Sequence, residues 1–196
     1  MSGQYFSPNP EAKSRESEIV AELQGTSLRF MTDQGTFSKG HLDEGSALLL
    51  QSLPALAGRA ADLGAGWGPI GCFLAAWNEG LELTLIEPNQ RAAALAERNA
   101  ALNHLGNVRV LCGDGRELLP PGLDFILTNP PIRAGKAVVY GLFAAAHAAL
   151  KAGGILYLVI RKQQGAQSAQ GYLRGLFASV ECIARKKGFW VLRCAK

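Results

Sequence analysis

A chain of 196 residues, 48% apolar and with a mean hydropathy of +0.07, is long enough to bury one full core and too evenly mixed to lie in a bilayer. No apolar run approaches the ~18 residues that a spanning helix needs, and Met1-Ser2-Gly3-Gln4-Tyr5-Phe6-Ser7-Pro8 lacks the basic start and apolar stretch of a secretory leader, so a soluble cytoplasmic protein is expected. The net charge of +4 is unevenly divided: residues 1–124 hold 9 Lys/Arg against 15 Asp/Glu, whereas residues 125–196 hold 11 against the single Glu181.

In chain order, residues 1–17 are polar, contain Pro8 and Pro10, and read as an arm without regular structure whose sizeable apolar groups are Tyr5 and Phe6. Glu18–Leu23 and Ser27–Met31 alternate as a hairpin about Gln24-Gly25, and a short strand is expected near Thr36-Phe37. Residues 1–42 thus form an N-terminal arm and β extension, and residues 43–196 the main domain. Asp43 is placed to cap a helix through Leu48, Leu49 and Leu50 that stops before Pro54.

From residue 59 strands and helices alternate. Arg59–Leu63 is a short strand; Pro69 opens a helix with Ile70, Phe73, Leu74 and Trp77 at helical spacing, expected to end at Gly80. Leu83–Ile86 is the second strand, followed by an alanine-rich helix from Asn89 to about Asn103. Val108–Cys112 and Leu123–Thr128 are the third and fourth. Val139, Leu142, Phe143, Ala146 and Leu150 mark a helix closed by Gly153-Gly154. Ile155–Ile160 is the fifth strand, and Ala169, Tyr172, Leu173, Leu176 and Phe177 line a last helix. Val180–Ala184 and Phe189–Cys194 are joined by Arg185-Lys186-Lys187-Gly188, too short for a parallel crossover, so this pair is antiparallel. The expectation is an α/β fold, a Rossmann-like doubly wound seven-stranded sheet with its last strand antiparallel, preceded by a small N-terminal β extension.

Cys72, Cys112, Cys182 and Cys194 lie far apart, each inside an apolar pattern, and read as buried free thiols of a reducing compartment. His41, His104 and His147 show no ligand spacing, so no metal site is expected.

Chemistry concentrates at the strand ends. Asp62-Leu63-Gly64-Ala65-Gly66-Trp67-Gly68-Pro69-Ile70-Gly71 joins the first strand to its helix, where glycines let backbone approach a ligand. Read as Gly66-x-Gly68-x-x-Gly71 it fits a dinucleotide fingerprint, but Asp62 would repel a pyrophosphate and attract a cationic amino group. Glu87, followed by Pro88, closes the second strand and suits a ribose diol; Asp114, after Gly113, suits the amino group of an adenine. Amino acid, ribose and adenine in that order describe S-adenosylmethionine (SAM). The fourth strand ends in Asn129-Pro130-Pro131-Ile132. The residue before a proline is held extended, and proline keeps its carbonyl while lacking an N–H. This tip offers a side-chain amide oxygen and a backbone carbonyl, two acceptors suited to the two N–H bonds of an exocyclic amine. For each acid alone, an ordinary strand-end carboxylate or helix cap is the competing reading, and for the tip an ordinary turn.

Asp62–Gly68, Glu87, Gly113-Asp114 and Asn129-Pro130-Pro131-Ile132 resemble the class I SAM-dependent methyltransferases that modify planar amines. Phe37-Ser38-Lys39-Gly40-His41-Leu42-Asp43-Glu44-Gly45, Ile132-Arg133-Ala134-Gly135-Lys136 and Lys162-Gln163-Gln164-Gly165-Ala166 narrow this to the short, single-domain members of the ribosomal small-subunit methyltransferase C family. That resemblance implies methylation of a guanine N2 in small-subunit ribosomal RNA, with SAM as cofactor. Longer members of the family carry Phe-His where this chain has Ile132-Arg133.

The expected roles follow. Asn129, Pro130 and Pro131 hold the amine, and Gly64, Ala65, Gly66 and Gly68 with Asp62, Glu87, Pro88, Gly113 and Asp114 hold SAM. Ile132 offers an apolar face to the base. Arg133, Lys136, Arg161, Lys162, Arg185, Lys186 and Lys187 follow the ends of the fourth, fifth and sixth strands, on the rim that carries the site, where they can track an RNA backbone. Solvated turns are the competing reading for these seven. The alternatives are an amine methyltransferase acting on a nucleic-acid adenine or a protein glutamine, a nicotinamide-dependent oxidoreductase, and a non-catalytic RNA-binding module.

Overall fold

The computed structural model of the chain describes residues 15–33 and 41–196. The expected arm with Tyr5 and Phe6, and the expected strand at Thr36-Phe37, lie outside the described residues. Strands β1 (Glu16–Leu23) and β2 (Thr26–Asp33) form a separate antiparallel hairpin. Gln24 (φ 51°) and Gly25 (φ 78°) both take left-handed backbone, the type I′ geometry whose twist suits a two-residue turn. There follow α1 (Glu44–Gln51), β3 (Gly58–Leu63), α2 (Pro69–Trp77), β4 (Leu81–Glu87), α3 (Gln90–Leu102), β5 (Val108–Cys112), α4 (Gly115–Leu118) and β6 (Leu123–Thr128). The chain closes with α5 (Lys136–Ala149), β7 (Leu150–Arg161), α6 (Ala166–Arg174), β8 (Ser179–Lys186) and β9 (Phe189–Ala195).

Seven strands form one sheet in the order β5-β4-β3-β6-β7-β9-β8. The pairs among β3 to β7 are parallel, and β9 runs antiparallel to both β7 and β8. The last strand is reversed as expected, but it inserts inside β8 rather than lying at the edge. Composition explains the exchange. Phe189, Val191, Leu192 and Cys194 of β9 are buried, whereas β8 carries exposed Glu181, Ile183, Arg185 and Lys186, which suit a solvated edge.

Helices α1, α2 and α3 cover one face with the hairpin, around Phe30, Leu49, Trp67, Phe73, Leu85 and Val191. Helices α5 and α6 cover the other, around Phe143, Leu156, Leu158 and Leu173. The hairpin is held to α3 by two asparagines one helical turn apart. Asn99 Oδ1 accepts from Met31 N (2.7 Å) and its Nδ2 donates to Met31 O (3.0 Å); Asn103 makes the matching pair with Arg29 N (3.0 Å) and Arg29 O (2.7 Å). Four residues of helix advance ~6 Å and two of strand ~6.6 Å, so the two spacings match.

Local differences from the expectation have plain causes. Leu150 pairs with Leu123 in extended conformation and is buried, so β7 begins there; the register then shifts, and residues 151–154 bulge before Ile155 pairs with Phe125. Helix α2 ends at Trp77 because the Asn78 amide bonds Leu74 O (2.8 Å) and Leu56 N (2.8 Å). Helix α6 stops at Arg174, ahead of Leu176 and Phe177. Between β5 and β6 stands only the four-residue α4, which leaves that end of the sheet thinly covered; Cys112 is exposed and Cys182, on the edge strand, half-buried, while Cys72 and Cys194 are buried as expected.

Candidate active site

Strand order turns back on itself between β3 and β6, so a crevice opens at their C-terminal ends, the place where such sheets take ligands. Register brings the expected residues to this one level. Asp62 pairs with Leu127, Leu63 with Ile86 and Glu87 with Cys112, so the residues after β3, β4, β5 and β6 emerge side by side. Thr128 Oγ1 donates to Leu63 O (2.7 Å), fastening the β6 tip to the start of the glycine loop.

The loop hangs from β4: Gly64 N and Ala65 N both donate to Ile86 O (2.9 and 3.1 Å), and Gly66 N donates to Glu87 Oε2 (2.9 Å). Gly64 (φ 78°) and Gly66 (φ 59°) occupy left-handed backbone, and a Cβ on either would meet nothing within 4 Å, so the cradle is open on the ligand side. At Gly71 a Cβ would sit 2.6 Å from Leu85, which is how α2 packs so near β4. Trp67 is buried edge-on against Phe30 of the hairpin, with centroids 4.9 Å apart.

The acids divide. Asp62 is fully buried behind the loop; Oδ2 accepts from Gly71 N (3.1 Å), and Oδ1 has no partner among the described residues. Burial pushes its carboxyl up to about 7, against the pull of the Gly71 N–H. It stands behind the loop, bonded to the start of α2, rather than on the cleft wall. Glu87 accepts from Gly66 N and, through Oε1, from Asn89 N (2.9 Å), which spends one lone pair on each oxygen and leaves one on each for a diol. Burial raises the Glu87 pKa, opposed by those two N–H groups. Pro88 is half-buried between Glu87 and the Asn89 cap of α3, and Gly113 N donates to Glu87 O (3.0 Å). Asp114 caps α4 by accepting from Arg116 N (2.8 Å), and both its oxygens meet the Arg116 guanidinium, which holds its carboxyl below the usual range. Arg116 was not expected at the site; a cap two residues upstream of an arginine was the available signal.

At the tip, Asn129 is half-buried and its Nδ2 donates to Asp43 Oδ2 (2.9 Å) and to Ser46 Oγ (3.1 Å) of the first turn of α1, so Oδ1 faces away from α1. Asp43 was expected only as a helix cap, a role it also fills by accepting from Ser46 N (2.9 Å). Pro131 (φ −74°, ψ 74°) is the centre of an inverse γ-turn in which Ile132 N donates to Pro130 O (2.8 Å). The Pro130 carbonyl thus has its direction pinned and one lone pair remaining. Ile132 is half-buried against the α5 side of the core.

The seven cations lie at the strand ends of this same edge. Arg133 and Lys136 follow β6, Arg161 ends β7 and Lys162 follows it, and Lys162 N donates to Gly188 O (2.8 Å) in the turn that Arg185, Lys186 and Lys187 lead into. Several already have neighbours. Lys187 pairs with Glu44, Arg161 lies over the Phe189 ring (4.3 Å), Arg185 over Trp190 (4.2 Å) and Lys136 over Tyr140 (5.1 Å).

An open glycine cradle, a buried acid beneath it, a strand-end glutamate with one lone pair spare on each oxygen and an amide tip at the switch point define a class I SAM-dependent methyltransferase, and this donor set fits SAM. The chain belongs to the methyltransferase small domain family, which residues 27–193 match. It is 39% identical to the uncharacterised Bacillus subtilis protein YbxB over the full length of both. It is also 31% identical to the ribosomal RNA small subunit methyltransferase C of Pseudomonas entomophila, covering 95% of this chain and 58% of that one. Among solved structures it is similar to the Thermus thermophilus 16S rRNA N2 G1207 methyltransferase in complex with AdoMet and guanosine, with a TM-score of 0.82 and 26% identity over 95% of this chain and 52% of that chain. The chain therefore spans only about half the length of these ribosomal RNA methyltransferases.

Proposed function

We propose that this chain methylates the exocyclic amine of an unpaired base in ribosomal RNA, specifically the N2 of a guanine of the small subunit. The observation that carries the reading is the acceptor pair at the β6 tip: Asn129 Oδ1, turned outward because its Nδ2 is spent on Asp43 and Ser46, beside the pinned carbonyl of Pro130. Two such acceptors hold both amine protons and direct the nitrogen lone pair into the crevice. Pro131 stiffens the turn. Bound SAM supplies a methyl group already activated on a sulfonium, so the chain's task is alignment. No strong base is required, because the amine proton leaves readily once its nitrogen has become cationic.

In this reading Gly64, Ala65, Gly66, Gly68, Pro88 and Gly113 shape the SAM cradle, Asp62 sets its charge from behind, Glu87 accepts from the ribose hydroxyls and Asp114 from the adenine amino group. Ile132 supports the base, which must be unpaired or flipped out to reach the tip. Arg133, Lys136, Arg161, Lys162, Arg185, Lys186 and Lys187 follow the RNA backbone. The similarity to a Thermus thermophilus enzyme named for N2 of a small-subunit guanine supports this choice of substrate.

The test is transfer of labelled methyl from SAM to naked ribosomal RNA, to each ribosomal subunit and to ribosomal protein, with the label then mapped. Label on a guanine N2 of small-subunit RNA is the expected result. Label confined to an adenine, to large-subunit RNA or to a glutamine would overturn it.

A further inference from the structure

We propose that Asp43, together with Ser46, is a positioning residue that sets the orientation and acceptor strength of the Asn129 amide. This rests on the reading of Asn129 as the group that holds the substrate amine. Asp43 stands 86 residues from Asn129, yet its Oδ2 receives Asn129 Nδ2 at 2.9 Å while Ser46 Oγ receives the same nitrogen at 3.1 Å, so both amide hydrogens are engaged. The flipped amide would set Oδ1 against a carboxylate oxygen, acceptor against acceptor, so the chemistry of the neighbours fixes the orientation. The carboxylate is itself tied down, because Oδ2 also accepts from Ser46 N (2.9 Å) and Ser46 Oγ (3.2 Å) at the start of α1.

An anion that accepts from an amide N–H polarises that amide and moves electron density to its oxygen. The substrate nitrogen gains positive charge as it attacks, so a richer Oδ1 holds its proton more strongly in the transition state than in the ground state. Interactions that strengthen only then raise kcat and leave KM nearly alone. A residue that merely capped α1 would have no such selectivity.

The experiment is a double-mutant cycle on the full chain, read by steady-state transfer of labelled methyl from SAM to small-subunit ribosomal RNA at varied RNA concentration. Asp43→Asn keeps an oxygen for Ser46 N and Asn is a good cap, so folding is retained while the charge is lost. It is expected to lower kcat by about tenfold, with KM for RNA and SAM affinity changed less than about twofold. In the Asn129→Ala background the same change is expected to have no further effect. An equal loss in both backgrounds, or no loss in either, overturns the positioning role. If Asn129→Ala itself leaves the rate unchanged, the reading of the tip fails, and the positioning role with it. Should Asp43→Asn lower thermal stability, Ser46→Ala removes one acceptor with the Asp43 cap in place, and the same non-additivity is expected of it.

Discussion

The Asp62 carboxyl sits at the end of β3, fully buried, with one oxygen on Gly71 N and a pKa pushed up to about 7. The folded chain therefore holds a proton that the unfolded chain gives up near pH ~4. Between ~4 and ~7 the unfolded state binds fewer protons, so stability falls as pH rises through this window and is flat above it. Asp62→Asn removes the ionisation and keeps an acceptor for Gly71 N. Thermal melts from pH 4 to pH 8 are expected to show the variant gaining on the wild type by on the order of 2–4 kcal/mol across that range. Glu87, also raised by burial, has the same sign and leaves a residual slope in both proteins. The position of Asp62 before the glycines was legible in the sequence. That it faces the α2 junction, while the Asn129 amide turns its nitrogen to α1, was not, because side-chain direction depends on which hydrogen-bonding groups the fold brings near.

Among the elements, the β1–β2 hairpin depends on a helix rather than on a strand partner. Asn99 is fully buried and serves Met31 N, Met31 O and, at 2.8 Å, Trp67 O of the glycine loop. Asn99→Ala would take this partner from one buried backbone group, Trp67 O, and from two part-buried ones, Met31 N and O, a loss of about 2–4 kcal/mol in stability with weakened SAM affinity, since Trp67 belongs to the glycine loop. Asn103→Ala, at the exposed end of the same contact, is expected to cost about 1 kcal/mol or less. Melting curves and SAM titrations of the two variants check the contrast. Helix α3 itself was plain from its alanines. Its contact with β2 was signalled by two asparagines four apart on one helix face, but such residues are common on solvated helices, and only packing tells the two cases apart.

Over the whole molecule, seven of the eleven cations of residues 125–196 gather at the same edge as the crevice, because the parallel strands β6 and β7 and the strand β8 all end there. Not every cation on it is equally available. Lys187 is paired with Glu44, the first residue of α1, so the β8–β9 turn is tied to the helix that orients Asn129. Reversing Arg185, Lys186 and Lys187 together is expected to weaken RNA binding and to reduce the slope of log affinity against log salt. The reduction should be nearer two phosphate contacts than three, ~1.4–1.8 in all. Binding isotherms at several salt concentrations measure it, and an unchanged slope would remove this turn from the RNA path.

Order and type of the main elements were determined by the sequence alone, since apolar periodicity, caps and the residues before prolines act over a few positions. The common level of the glycine loop, Glu87, Asp114 and Asn129 followed from the same source, because strands joined by helical crossovers must point their ends one way. Only the tertiary structure decided that β9 lies inside β8, that Leu150 is extended, that Arg116 occupies both oxygens of Asp114 and that Asp43 holds the Asn129 amide. Each of these joins an element to a competing partner, and the winner is set by burial and hydrogen-bond satisfaction summed over the whole core.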